Sequence, residues 1–245
     1  MDNALILEIS RKQFASASLD DVTFTENGDA DALIKDLEHF PHAFVLGCLM
    51  DRQIQAEKAW EIPYKVFNQT RAKTIPELSS IGRDEYVRLF EKNSLHRFNE
   101  KMAAIFYGGV QDIKTKYAGN AANIWANKPS SAAVVGRFLE FEGAGPKIAT
   151  MAANILVRCF KVPLFDYYSI DISADRHVKR VMTRLGLVPK NSTVEKVIYK
   201  AREISPEFPG LIDCACFETG RKWCHQGKPD CKNCELNRDC KKVID

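Results

Sequence analysis

Six of the chain's eight cysteines lie in its last 32 residues, at Cys214, Cys216, Cys224, Cys231, Cys234 and Cys240. The last four follow the pattern Cys-x6-Cys-x2-Cys-x5-Cys, so four thiols fall within 17 residues and can wrap one metal centre. A structural zinc site usually offers two short knuckles, and here Cys231 and Cys234 alone form one. The wider spans on either side suit the larger body of a four-iron four-sulfur (4Fe-4S) cluster. Zinc in a nucleic-acid adaptor is the alternative occupant. Arg221, Lys222, Lys228, Lys232, Arg238, Lys241 and Lys242 are interleaved with these cysteines. Nothing apolar enough to fold such a loop accompanies them, so bound metal is expected to supply its stability. Cys214 and Cys216 sit beside Leu211, Ile212 and Phe217 and read as core residues.

A second group with chemical potential is Phe141-Glu142-Gly143-Ala144-Gly145-Pro146-Lys147-Ile148-Ala149, between two apolar stripes of helical spacing. It reads as a tight hairpin joining two helices. Gly143 and Gly145 remove the Cβ atoms that would oppose positive φ angles and close backbone approach, leaving N–H groups at the next helix start free to hold a phosphate. Pro146 suits a first-turn position, where its missing donor costs nothing. Lys147 then falls in the first turn, where the helix dipole and burial both favour a neutral amine. Asp175-Arg176-His177-Val178 opens a further helix and places a carboxylate at its N-terminus.

The elements that must position these groups are helical. Apolar residues recur at helical spacing at Phe98, Met102, Ile105 and Phe106; at Val134, Val135, Phe138 and Leu139; and from Ile148 through Met151, Ala152, Ile155 and Leu156 to Cys159. Val178, Val181, Met182 and Leu185 continue the pattern, as do Val194, Val197, Ile198 and Ala201. Thr74-Ile-Pro-Glu77 and Ser192-Thr-Val-Glu195 read as capping boxes, whereas Val22 to Thr25 gives a weak strand signal. The expected fold is all-α, with two helical lobes and a ligand cleft between them. The proline- and aromatic-containing segment Lys161 to Ala174 is expected to connect the lobes.

Composition agrees with a globular chain: 245 residues, 45% hydrophobic and 27% charged, with no apolar run approaching the roughly 18 residues of a membrane span. The start, Met1 to Ser10, lacks the pattern of a signal peptide. A cytoplasmic, nucleoid-associated or nuclear location is therefore expected, not a secreted one, and thiols there stay reduced. Residues 1 to 40 hold nine acidic and three basic side chains, so the formal net charge of +3 conceals −6 before Pro41 and +9 after it. A basic body suits a polyanion, though a lysine surplus also serves solubility.

Taken together, hairpin, lysine, aspartate and cysteine loop resemble the endonuclease III branch of the helix-hairpin-helix DNA glycosylases over roughly Pro41 to Cys240. Gly143-Ala-Gly-Pro-Lys147 is similar to the family's hairpin, Asp175-Arg-His to its Asp-x-His, and Thr219-Gly-Arg-Lys-Trp-Cys224 to the lead-in to its cluster. The resemblance implies a six-helix lobe with the hairpin at 41–160. It implies a second lobe from 1–40 and 161–245, with a 4Fe-4S loop at 224–240 on Cys224, Cys231, Cys234 and Cys240.

The implied partner is double-stranded DNA carrying a damaged base, an oxidised one by analogy, or an abasic site, bound across the cleft by a monomer. Lys147 becomes the nucleophile of a glycosylase with AP-lyase activity, Asp175 its partner carboxylate, and Gln53 the residue that fills the gap of an extruded base. Gly143, Gly145 and Lys147 would face DNA beside Gln53. Asp166 and Asp171 compete with Asp175 for the acidic role. A non-catalytic or monofunctional lesion-binding protein that retains the hairpin and cluster is the alternative reading, and Lys147 is the residue that separates the two.

Overall fold

The structure, a computed structural model, describes residues 4–243. Twelve α-helices and two 3-10 turns, with no strand among the described residues, bear out the all-α expectation. In chain order the helices are α1 (Ala4–Ser16), α2 (Gly28–Lys35), α3 (Pro41–Met50), α4 (Ala56–Thr70), α5 (Ile75–Ser80) and α6 (Arg83–Lys92). They continue with α7 (Asn99–Lys116), α8 (Ser131–Leu139), α9 (Pro146–Arg158), α10 (Arg176–Leu185), α11 (Val194–Ile204) and α12 (Asp213–Lys222). None of them is long and apolar enough to cross a membrane.

Local chemistry sets several boundaries. Thr74 and Glu77 form the expected reciprocal capping box at α5. At α11 the cap is Thr193, one residue later than the Ser192 expected, and its hydroxyl accepts from the Lys196 N–H. Val22 to Thr25 is no strand: the Asp31 carboxylate on α2 accepts from the Phe24 N–H at 2.7 Å and the Thr25 N–H at 3.3 Å, bending the chain into the cap of α2. Helix α3 is buried on every side, which explains why Pro41 to Met50 has no polar face.

Two hydrophobic cores result. The larger is built around α3, with Ile34 of α2, Trp60 of α4, Phe106 of α7, Phe138 of α8 and Leu156 of α9. The smaller gathers Leu5 and Ile6 of α1 with Val178 and Met182 of α10, Val197 of α11 and Cys216 of α12. The acidic first 40 residues are thus divided, α1 lying on the second core and α2 on the first. Residues 161–174 contain no helix and run between them, with Leu164 and Ile170 in the first core and Ile172 in the second. Phe14, Tyr167 and Phe208 close the junction with ring centroids 5.0–6.1 Å apart, and the Asn154 amide of α9 donates to the Gly210 carbonyl at 2.8 Å.

Candidate active site

The hairpin forms because α8 ends at Leu139 and the chain reverses within six residues before α9 begins. Gly143 takes φ +88°, and a Cβ there would lie 2.9 Å from Ile105 Cδ1 and 3.2 Å from Arg52 Nη1. Both the backbone angle and the space demand glycine at this position. Gly145 differs from the expectation: at φ −89° it caps α9 in extended backbone, and an added Cβ would meet nothing. Its value is an exposed backbone at a helix start. Pro146 opens α9, and Lys147 follows in the first turn. The Lys147 side chain is 49% exposed, so the burial expected from the sequence is not found.

Lys147 Nζ stands 4.0 Å from a carboxylate oxygen of Asp51, whose side chain is only 14% exposed. Asp51 caps the C-terminus of α3, far from the hairpin in sequence. Burial pushes its carboxyl above the ordinary range; Lys147 pulls it down, while the charges of Asp175 and Glu57 push it up. Lys147 and Asp175 therefore converge electrostatically on one buried acid.

Asp175 caps α10, one oxygen accepting from the His177 N–H at 2.7 Å and the Val178 N–H at 2.8 Å. Its rivals are engaged elsewhere. Asp171 is held by two Arg202 donors, each at 2.8 Å, and Asp166 accepts from the Ser131 hydroxyl and the Tyr168 N–H. Asp213, half-buried at the start of α12, accepts from the Ser173 N–H at 3.3 Å; burial and the charge of Asp175 push it up to about 7. Gln53 is exposed in the turn between α3 and α4 and adopts φ 55°, the left-handed conformation. Such a backbone is uncommon outside glycine and marks a shaped turn.

The four cysteines Cys224, Cys231, Cys234 and Cys240 line one pocket, closed on one side by Arg184 and Trp223. All four are free thiols. Among the described residues no three potential ligands converge tightly on the position of a single ion. Cys214 and Cys216 lie outside this pocket. Cys216 is buried, and the Cys214 sulfur accepts from Arg158 at 2.9 Å. Arg184 grips the loop through the His225 carbonyl at 2.6 Å, the Gln226 carbonyl at 2.9 Å and the Cys224 sulfur at 3.3 Å.

No family model matches the chain. Endonuclease III of Sulfolobus acidocaldarius is 26% identical over 155 residues, covering 60% of this chain and 64% of that protein. Endonuclease III of Thermotoga maritima is 25% identical over 202 residues and 82% of each chain. A trapped covalent complex of endonuclease III with DNA superposes with a TM-score of 0.62 at 19% identity, covering 97% of this chain and 93% of that one. In sequence and in fold the chain is similar to endonuclease III. A thermostable thymine-DNA glycosylase shares the same fold, with a TM-score of 0.65 at 13% identity over 97% of this chain and 94% of that one.

The first turn of α9 and the cap of α10 place Lys147 and Asp175 so that the charges of both bear on the Asp51 carboxyl. Asp51 escaped the sequence reading although Gln53, two residues on, was singled out. A buried acid at a helix C-terminus leaves no local motif; its one signal was a charge directly after a run of eight apolar or glycine residues, Ala43 to Met50. Phe98, expected in a core stripe, is instead 40% exposed, with the Arg97 guanidinium 5.3 Å over its ring. It lies at the start of α7, where the stripe has left the core.

Proposed function

We propose that this protein is a base-excision DNA glycosylase with AP-lyase activity on double-stranded DNA containing an oxidised base or an abasic site. The observation that carries this reading is the placement of an exposed Lys147 in the first turn after the glycine hairpin, facing Asp51, with Asp175 capping the adjoining helix. A damaged nucleotide has to leave the duplex before its sugar can be attacked, and the Gln53 turn is the element that would enter the vacated space. The Lys147 amine attacks the sugar C1′, the base departs, and the resulting Schiff base loses a C2′ proton so that the 3′ phosphate leaves by β-elimination. Asp175, with one oxygen held by two N–H groups and the other free, stabilises positive charge developing on the sugar. The exposed backbone of Gly145 and the start of α9 receive a DNA phosphate.

The residues that would hold a 4Fe-4S cluster are Cys224, Cys231, Cys234 and Cys240. Their fit is supported by four free thiols lining one pocket, at the sequence spacing that suits the larger body of a cluster. When bound, the cluster supplies folding stability to a loop that presents lysines and arginines to phosphates.

The deciding experiment is borohydride trapping on a duplex with a single abasic site. Wild-type protein is expected to form a covalent adduct and Lys147→Ala none. An undiminished adduct in the variant would sink the assignment, and tight binding with no wild-type adduct would leave a lesion-binding protein instead.

A further inference from the structure

The carboxylate of Asp51 is unusual in what surrounds it. Among the described residues it accepts no hydrogen bond, and its single ion-pair neighbour is Lys147 Nζ at 4.0 Å. A buried carboxylate without donors is costly to ionise. Its place at the C-terminus of α3, where the helix dipole is negative, adds to that cost. The groups facing it are Lys147 from α9, Asp175 from the cap of α10, Glu57 from α4, and the Cys48 thiol of its own helix; Glu57 is itself paired with Arg221 at 2.9 Å. One cation thus opposes two anions, burial and a helix terminus. A proton leaving Lys147 Nζ has the Asp51 carboxylate as its ion-pair neighbour at 4.0 Å, the placement needed by a base that takes a proton and returns it.

We propose that Asp51 is the proton shuttle of Lys147, the group that converts its ammonium into the attacking amine. The inference rests on the reading of Lys147 as nucleophile and deepens it. On the ring-opened aldehyde of an abasic site, the Asp51 carboxylate takes one proton from the Lys147 ammonium. The freed nitrogen lone pair forms a bond to C1′ as the carbonyl π pair moves onto oxygen. A second nitrogen proton passes to that oxygen, giving a neutral carbinolamine beside a protonated Asp51. The hydroxyl then leaves as water with the Asp51 proton, the nitrogen lone pair forms the iminium, and the carboxylate is restored. Asp175 has one oxygen committed to two backbone N–H groups, so the two acids divide the work: Asp175 holds charge and Asp51 moves protons.

The test is the rate of borohydride trapping on abasic-site DNA between pH 5.5 and 9.5 for the full-length wild type, Asp51→Asn and Asp51→Glu. In the Asn variant the ammonium must give its proton to solvent. Its rate is expected to fall ~10²-fold or more near neutral pH and to climb about tenfold per pH unit toward the wild-type value. Asp51→Glu retains a carboxylate and is expected to restore the wild-type profile shape. Binding to duplex with a tetrahydrofuran abasic analogue reports whether Asp51→Asn remains folded, and the Glu variant alone decides if it does not. An Asn profile parallel to wild type, an Asn variant faster at neutral pH, or a Glu variant with the Asn-type profile would overturn the proposal. Failure of the wild type itself to trap would sink the nucleophile assignment instead, and is distinguishable from all three.

Discussion

Asp213→Asn removes a half-buried carboxyl that feels the charge of Asp175. Asp213 begins α12, receives the Ser173 N–H two residues before Asp175, and feels both the Asp175 carboxylate and the opposing Arg158 guanidinium. Its carboxyl moves from 3.8 to about 7, roughly three units, or on the order of 4 kcal/mol at about 1.4 kcal/mol per unit. The folded state holds the proton more tightly than the unfolded one, so this favourable contribution is full below about pH 3.8 and is lost as pH rises through about 7. Asparagine keeps an acceptor for the Ser173 N–H and carries no charge to desolvate. Urea unfolding at half-unit steps from pH 4 to 8 gives the comparison. The stability of Asp213→Asn relative to wild type is expected to be within ~1 kcal/mol at pH 4. It should then increase across the range by roughly 4 kcal/mol. Titrations of groups that do not interact with Asp213 are common to both proteins and cancel in the difference. Parallel curves would show that Asp213 ionises normally in the fold, and a difference that grows in the wild type's favour would reverse the electrostatic argument.

Two further perturbations probe the loop and the hairpin. Arg184→Met removes the donors to the His225 and Gln226 carbonyls and the Cys224 sulfur; at about 1 kcal/mol per hydrogen bond the loss is roughly 3 kcal/mol. Limited proteolysis should then cut within residues 225–243 faster than in wild type, and iron content per chain should fall. Gly143→Ala combines φ +88° with a 2.9 Å approach to Ile105 and should lower stability by more than the ~1–2 kcal/mol of a left-handed alanine. Gly145→Ala, at φ −89° with open space around it, should leave the melting temperature nearly unchanged while weakening DNA binding.

Features encoded within a few residues could be read from the chain. The Gly143 turn, the Asp175 cap and the four-cysteine spacing each depend on neighbours in sequence, and the structure places them in a hairpin, an N-cap and a common pocket. What depends on distant partners could not be read. Asp51 acquires its environment from α9, α4 and the cap of α10, none of which is local to it. Periodicity also misjudged helix ends. Leu139 and Val194 follow the apolar repeat yet are 44% and 41% exposed, because a terminal turn can project beyond the core it extends from. Ser192 and Thr193 offer equivalent capping chemistry; Thr193 caps α11, while the Ser192 hydroxyl donates to the Pro189 carbonyl at 2.7 Å.

The geometry of α10 explains how a cysteine loop that touches no reacting atom bears on the candidate site. Asp175 caps its first turn, and two arginines further along grip the loop from the same helix. Arg180 donates to the Cys224 carbonyl at 2.6 Å and the Gly220 carbonyl at 2.8 Å, and Arg184, one turn on, holds the His225 and Gln226 carbonyls. The approach of α12 to this helix is close enough that a Cβ on Gly220 would lie 2.7 Å from His177 Cβ. An ordered loop therefore holds α10 at two points about 6 Å apart along its axis. Release of the loop frees one end of the strut whose other end sets the position of Asp175, and with it the field felt by Asp51 and Asp213. The contacts that would carry such coupling are the Arg180 and Arg184 hydrogen bonds to the loop and the close approach of Gly220 to His177.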